Sequence, residues 1–250
     1  MTPEPSTPFP NPFFTIVIPT LNEEKHLPLL LKDLTQQTYK NFQVIVVDSQ
    51  SEDQTIKMVS KYINKLPLTI KQTPIRNVSH QRNLGAKSSQ SPYLVFFDAD
   101  TRIPPEYLKL ISQYLTKNPV DVLTTWNHSP DIKLKNQIIT KIINYTIEFC
   151  KYFAPVANGS HLFIKTSAFN HSLGFNPQIH FGEDTALIKS ILKQGGQYTL
   201  LKTPQAVYSL RRFERDGYLR TLTKIILLNL NALFRDPTQT PLKYHMGGTA

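Results

Sequence analysis

Residues Leu94–Arg102 read LVFFDADTR. Four apolar residues run directly into two aspartates one position apart. Such a run predicts a strand covered on both faces, whose carboxyl end delivers charge to a rim. In an extended segment residues i and i+2 point to the same side, so Asp98 and Asp100 would face one ligand together. Two carboxylates held that close repel, and one keeps its proton unless a cation lies beside them. Mg²⁺ or Mn²⁺ suits the position, because both take oxygen ligands and often combine one or two carboxylates with substrate phosphates. The plainer reading is a pair of exposed turn aspartates at the end of a strand.

Working outward, three further runs resemble this strand: FTIVIPT (14–20), FQVIVVDS (42–49) and LTIKQTP (68–74). Helical patterns separate them: NEEKHLPLLLKDLTQQ (22–37), DQTIKMVSKYINK (53–65) and SHQRNLGAKSSQ (79–90). In the first, Asn22 is the expected cap, Glu23 and Glu24 suit the opening turn, and Leu27, Leu30, Leu31 and Leu34 share one face. Alternation of this kind predicts βαβ units and a mostly parallel sheet flanked by helices. Beyond Thr101 the pattern loosens. Helices are expected over 104–118, 134–153, 183–196 and 217–234, and extended segments over 120–126, 159–166 and 197–210. The 134–153 helix carries Ile138, Ile142, Tyr145, Phe149 and Phe153 on one stripe. The 217–234 helix is amphipathic, with Leu219, Leu222, Ile226, Leu230 and Leu233 on one face. One domain is expected over 13–235, with a nucleotide-binding half (13–101) and an acceptor half (102–235). A proline-rich arm (1–12), expected to be disordered, and a loose tail (236–250) flank it.

The chain has 250 residues, a formal net charge of +10 and a single cysteine. The charge favours anionic partners. A lone Cys150 fits a reducing, cytoplasmic setting. The arm lacks the basic and apolar regions of a signal peptide. No apolar stretch reaches the roughly 20 residues of a spanning helix. The expected location is therefore cytoplasmic. The second expectation is a peripheral position at the inner face of a membrane, where the 217–234 helix would lie either on an anionic lipid surface or on the domain. A nucleic-acid partner is not expected, because no interleaved aromatic–basic platform is present.

Ligands of open parallel sheets bind at the carboxyl ends of strands. PTLNEE (19–24), VDSQSED (47–53) and DADT (98–101) all stand there. Four segments together resemble the family 2 glycosyltransferases of the GT-A fold. IPTLNEE (18–24) is similar to the family's P-x-x-N-E segment, and VIVVDSQSEDQT (44–55) to its D-x-S-x-D-x-T segment. HQRNLGAKSSQSPYLVFFDADT (80–101) resembles the A-R-N-x-G…D-x-D block, with Gln81 in place of a small residue. GSHLFIKTSAFNHSLGFNPQIHFGEDTALIKSILKQGG (159–196) resembles the block that ends in E-D-x-x-L. The likeness runs from Phe14 to Arg212.

That resemblance implies roles. Pro19, Thr20, Asn22 and Glu23 would line a nucleotide pocket, and Asp48 would bond the base or ribose. Arg82, and Arg76 less directly, would approach the diphosphate or base. Asp98 and Asp100 would hold the divalent metal. Asp184 would be the general base of an inverting transfer from a UDP- or GDP-sugar, with Glu183 and His180 toward the acceptor. That acceptor would be a carbohydrate or lipid-linked molecule. A polyprenyl-phosphate glycosyltransferase and a catalytically inactive sugar-binding relative are the alternatives. Read without the family, GED (182–184) is a helix N-terminus. A cap and a base are compatible. Arg211 and Arg212 follow the last extended segment, where relatives carry a basic motif. One of them is expected at phosphate, although the Q-x-x-R-W form is poorly matched. His161 and His171 fit no metal-ligand spacing, and Trp126 is expected in the core.

Overall fold

The β-branched run Phe14–Thr20 forms strand β1, buried along its whole length. The computed structural model describes residues 11–130, 132–151, 159–179 and 182–223. In chain order β1 is followed by α1 (Leu27–Thr35), β2 (Phe42–Asp48), α2 (Thr55–Ser60), β3 (Leu68–Gln72), α3 (Val78–Ala86) and β4 (Tyr93–Phe97). Then come α4 (Tyr107–Lys117), β5 (Val122–His128), α5 (Leu134–Cys150), β6 (His161–Lys165) and α6 (Thr166–His171). Helix α7 (Glu183–Lys193), β7 (Tyr198–Val207) and α8 (Arg211–Asp216) complete the order.

The seven strands form one sheet in the order β3-β2-β1-β4-β6-β5-β7. β1 is parallel to both β2 and β4, and β2 to β3. β6 runs antiparallel to β4 and β5, whereas β5 and β7 are parallel. Six strands therefore share a direction, and their carboxyl ends face one rim. Two apolar layers sandwich the sheet. Leu27, Leu30, Leu31 and Leu34 of α1 and Tyr107, Leu108 and Ile111 of α4 pack on Ile16, Ile18, Val46 and Phe97. On the other face Phe169 of α6 and Leu187, Ile188 and Ile191 of α7 pack on Val17, Val47, Phe96 and Leu162. Helix α3 also lies on that face. A Cβ on its Gly85 would stand 2.3 Å from Val17 Cγ1, a distance only a hydrogen side chain permits.

Three local expectations change. The first helix starts at Leu27 with Pro28 in its opening turn, not at Asn22. Asn22 has φ 54°, and its side chain accepts the Glu52 N–H at 2.8 Å instead of capping a helix. Helix α5 presents the opposite face from the one its apolar stripe suggests. Ile138, Ile142, Tyr145 and Phe149 are exposed, while Ile139, Ile143 and Ile147 pack with Leu210 and Phe213. The reason lies in β5, whose register shifts between Thr125 and Asn127. At that shift the Asn127 backbone meets α5. Asn144 of α5 accepts its N–H at 2.8 Å and donates to its carbonyl at 2.9 Å, so the helix turns its Asn/Thr edge inward. Residues 218–223 are helical, as read, with Leu222 packed beside α5 and Leu219 exposed. The remainder of that expected helix, both chain ends and Phe153 lie outside the described residues.

Candidate active site

Strand β4 stops at Phe97. Asp98–Thr101 is a turn closed by Thr101 N–H on the Asp98 carbonyl at 3.0 Å, and not the extended segment expected from the sequence. The turn forms because the reversed β6 ends the ladder there. The Asp98 N–H donates to the Ser160 carbonyl at 3.1 Å, and the Thr101 hydroxyl donates to the same oxygen at 2.7 Å. Arg102 braces the far side, with its Nε 2.5 Å and its Nη2 2.8 Å from the Asp33 carboxylate of α1.

Among the described residues, the cations that meet the two aspartates are arginines, one for each. Arg82 of α3, only 3% exposed, places Nη2 2.9 Å from Asp98 Oδ1 and Nη1 2.9 Å from Glu183 Oε1. Nη2 also donates to the Gly159 carbonyl at 3.2 Å. Arg82 thus spans the D-x-D turn and the amino end of α7. Arg211 lies 3.4 Å from Asp100 and donates to both Glu23 oxygens at 3.1 Å. Arg211, one of the two arginines expected near phosphate, therefore reaches the site. The Arg212 side chain and His180 lie outside the described residues.

Among the described residues five carboxylates, on Glu23, Asp98, Asp100, Glu183 and Asp184, face these two guanidiniums. Burial pushes the Asp184 carboxyl up to about 7, with Glu183 adding to the rise and Arg82 opposing it. Burial also raises Glu23 and Asp98, against the pull of Arg211 and Arg82 respectively. Asp184 is held tightly. Its Oδ1 accepts the Thr185 N–H at 2.7 Å, and a Cβ on Gly159 would come within 2.7 Å of its Oδ2. Gly182, with φ 78°, is the backbone cap of α7, so Glu183 and Asp184 occupy its favourable first turn.

This excess of negative charge with hard oxygen donors fits a divalent cation on Asp98 and Asp100. Among the described residues no cluster of three metal-ligating side chains forms. The ion would therefore complete its shell with phosphate and water, as Mg²⁺ commonly does.

Beside this cluster a cavity of about 550 Å³ opens past the ends of β2 and β3, lined by Gln50, Ser51, Glu52, Gln72, Thr73, Pro74 and Arg76. Arg76 faces it, paired with Glu52 at 2.5 Å. Asp48 lies buried at the end of β2, where it holds the Ser51 N–H at 3.0 Å and hydroxyl at 2.5 Å and so shapes the cavity's edge. Pro19 and Thr20 end β1 in register with Val47 and Asp48. Ser51 in turn accepts the Asn22 N–H at 2.9 Å. Sequence reading named the Asp48 segment but not Gln72, Thr73 or Pro74, whose only signal is that they also end a strand. Gln81 explains its departure from the small residue expected there. Buried, it donates to the carbonyls of Thr20 at 2.9 Å and Val47 at 2.6 Å, tying β1 to β2 at the rim. His161 is structural, hydrogen-bonded between Ser160 and Thr125, and burial lowers it to about 4.

Residues 15–196 match the family model described as glycosyl transferase family 2. Over 114 residues the chain is 36% identical to the poly(ribitol-phosphate) beta-N-acetylglucosaminyltransferase TarS of Staphylococcus aureus, spanning 44% of this chain and 20% of that protein. The structure of S. aureus TarS 1–349 in complex with UDP-GlcNAc superposes with a TM-score of 0.62 at 20% identity, covering 90% of this chain and 68% of the other. The mannosyltransferase PcManGT from Pyrobaculum calidifontis, in complex with GDP-Man and Mn²⁺, superposes with a TM-score of 0.67 at 19% identity. That match covers 92% of this chain and 71% of PcManGT. The chain spans about a fifth of the full length of TarS.

Proposed function

The chain belongs to glycosyl transferase family 2, and on that premise we propose that it moves a sugar from a UDP- or GDP-sugar to an acceptor hydroxyl with inversion at the anomeric carbon. The observation that carries this reading is the Arg82 bridge, which puts Asp98 of the D-x-D turn and the Glu183–Asp184 pair into one electrostatic cluster. Donor site and base are then adjacent parts of a single device.

In the proposed reaction the base and ribose occupy the cavity beside Asp48 and Arg76. The acceptor oxygen attacks the anomeric carbon, its proton passes to Asp184, and the bond to the diphosphate oxygen breaks with its electron pair leaving on the diphosphate. A positioned base contributes about 10²–10⁴-fold, and a carboxyl near neutrality is matched to that task. Asp98 and Asp100 would hold a divalent ion that, when bound, neutralises charge on the departing diphosphate. Arg211 faces the same group, and its planar fork suits a phosphate oxygen pair. Asp98, Asp100 and Asp184 converge with their arginines in place, which favours an active enzyme over an inert binding relative.

The test is release of nucleoside diphosphate from UDP-GlcNAc, UDP-glucose and GDP-mannose, each with Mn²⁺, Mg²⁺ or EDTA, followed by proton NMR of the new anomeric centre. A β-linked product from an α-linked donor, lost in Asp184→Asn, supports the reading. An α-linked product, or full activity of Asp184→Asn, overturns it.

A further inference from the structure

Helix α5 turns an apolar stripe outward. Leu134 is 71% exposed, Ile138 47%, Ile142 36% and Tyr145 61%. Their spacing places them on one side of a helix of 17 residues, and Ile132, just before it, is 92% exposed. The face opposite is spent on Asn127, Leu210 and Phe213, so this stripe is not a misassigned core surface. Exposed Lys141 and Lys135 stand on α5 beside it, Lys135 with its ammonium 4.4 Å over the Tyr218 ring, and exposed Lys133 precedes the helix. Glu148, the one acidic residue of α5, is committed to the Lys151 ammonium and the Trp126 indole. Tyr145 stands edge-on to Trp126 with ring centres 5.5 Å apart, and Lys202 lies 5.0 Å over the Trp126 ring. An apolar stripe, an aromatic pair at its edge and a lysine border are the pattern of a helix lying in the headgroup layer.

We propose that the outer face of α5 docks on an anionic lipid surface. Charge complementarity selects this occupant over a second copy of the chain. The net charge of +10 and the lysine border attract anionic headgroups, whereas two such faces brought together would repel. No helix of the described residues is long and apolar enough to cross a membrane, so the contact is interfacial. The placement also has a chemical consequence. Asn144 fastens α5 to Asn127 near the carboxyl end of β5, on the same rim of the sheet as Asp98. A chain docked through α5 holds its active-site rim beside the headgroups, where an acceptor with a hydrocarbon anchor and a polar head would be presented. This last step, from lipid surface to lipid-linked acceptor, rests on the transfer reading above; the docking does not.

The full chain is sedimented with vesicles of phosphatidylcholine alone and of phosphatidylcholine with a quarter phosphatidylglycerol. Pelleting with the anionic vesicles only, weakening as salt rises, is expected. Ile138→Asp/Ile142→Asp should lower the partition coefficient by about tenfold or more while leaving nucleotide binding intact. In the wild type, brominated acyl chains should quench the single tryptophan, Trp126, a readout that needs no variant. Absence of pelleting at low salt, absence of quenching, or undiminished pelleting of a folded double variant overturns the proposal. So does a wild-type dimer that the double variant makes monomeric, because a second copy then covers the face. Vesicle binding without sugar transfer leaves the docking standing and removes the transferase reading. Transfer without vesicle binding does the reverse.

Discussion

Arg82 and Asp98 are joined at 2.9 Å with the guanidinium almost sealed from solvent, and the same side chain reaches Glu183 at the head of α7. Removing it leaves two carboxylates facing each other without their cation. Arg82→Met is expected to destabilise by about 2–3 kcal/mol, below the about 3–5 of a fully buried pair because the Asp98 side chain is 39% exposed. Arg82→Lys should restore part of the stability but little activity, since an ammonium cannot span both partners. Thermal melts and kcat of the two variants check this. Equal activity of wild type and Arg82→Lys would refute the spanning role.

Asp184 has a folded-state pKa of about 7 against an ordinary value of 3.8. Between those values the folded state binds the extra proton, so its stability contribution falls as pH rises through that window. Asp184→Asn should therefore flatten the decline in Tm from about pH 4 to pH 7. Activity runs the other way. The base works deprotonated, so kcat/KM should rise with pH along a limb centred near 7, and Asp184→Asn should lose about 10²–10⁴-fold. A wild-type profile flat from acid to neutral pH would contradict the assignment.

Gly159 offers a sharper steric test. A methyl there would fall 2.7 Å from Asp184 Oδ2, so either the carboxylate or the Gly159–Ser160 turn must move. Gly159→Ala is expected to cut kcat by about tenfold to a hundredfold through misplacement of the base, with a much smaller change in Tm. A matching loss of stability and activity would indicate general disruption instead.

Asp98→Asn and Asp100→Asn address the metal. Calorimetry of UDP and GDP with and without Mn²⁺ should show metal-enhanced binding of one nucleotide in the wild type, lost in either variant. Because Asp100 also meets Arg211, Arg211→Ala should weaken nucleotide binding while preserving its metal dependence. Nucleotide binding indifferent to EDTA would remove the divalent ion from the scheme.

Much of the site was legible in the sequence because its parts end strands. PTLNEE, VDSQSED and DADT each follow an apolar run, and in a parallel sheet such ends must share a rim. What the residues around Asp98 do was not legible. Extended geometry was the natural reading of LVFFDAD, yet the reversed β6 ends the ladder at Phe97 and draws Asp98 into a turn. The arginines were visible as candidates for phosphate, but their pairing depends on contacts 16 and 101 residues apart for Arg82 and 188 apart for Arg211.

Periodicity and polarity along the chain by themselves determined the alternating α/β class, the Leu27–Leu34 face and the strands whose carboxyl ends carry acid. All are local properties, set by spacing and by the side chains' need for cover. Tertiary structure alone decided which face of α5 is buried, which cation meets which aspartate, and how far Asp184 is driven toward neutrality. An exposed and a buried isoleucine read alike in sequence. Only the bonds between the Asn127 backbone and Asn144 turned α5 over, and only the closure of α7 onto Arg82 enclosed Asp184 among charges from α3, the D-x-D turn and α7 itself.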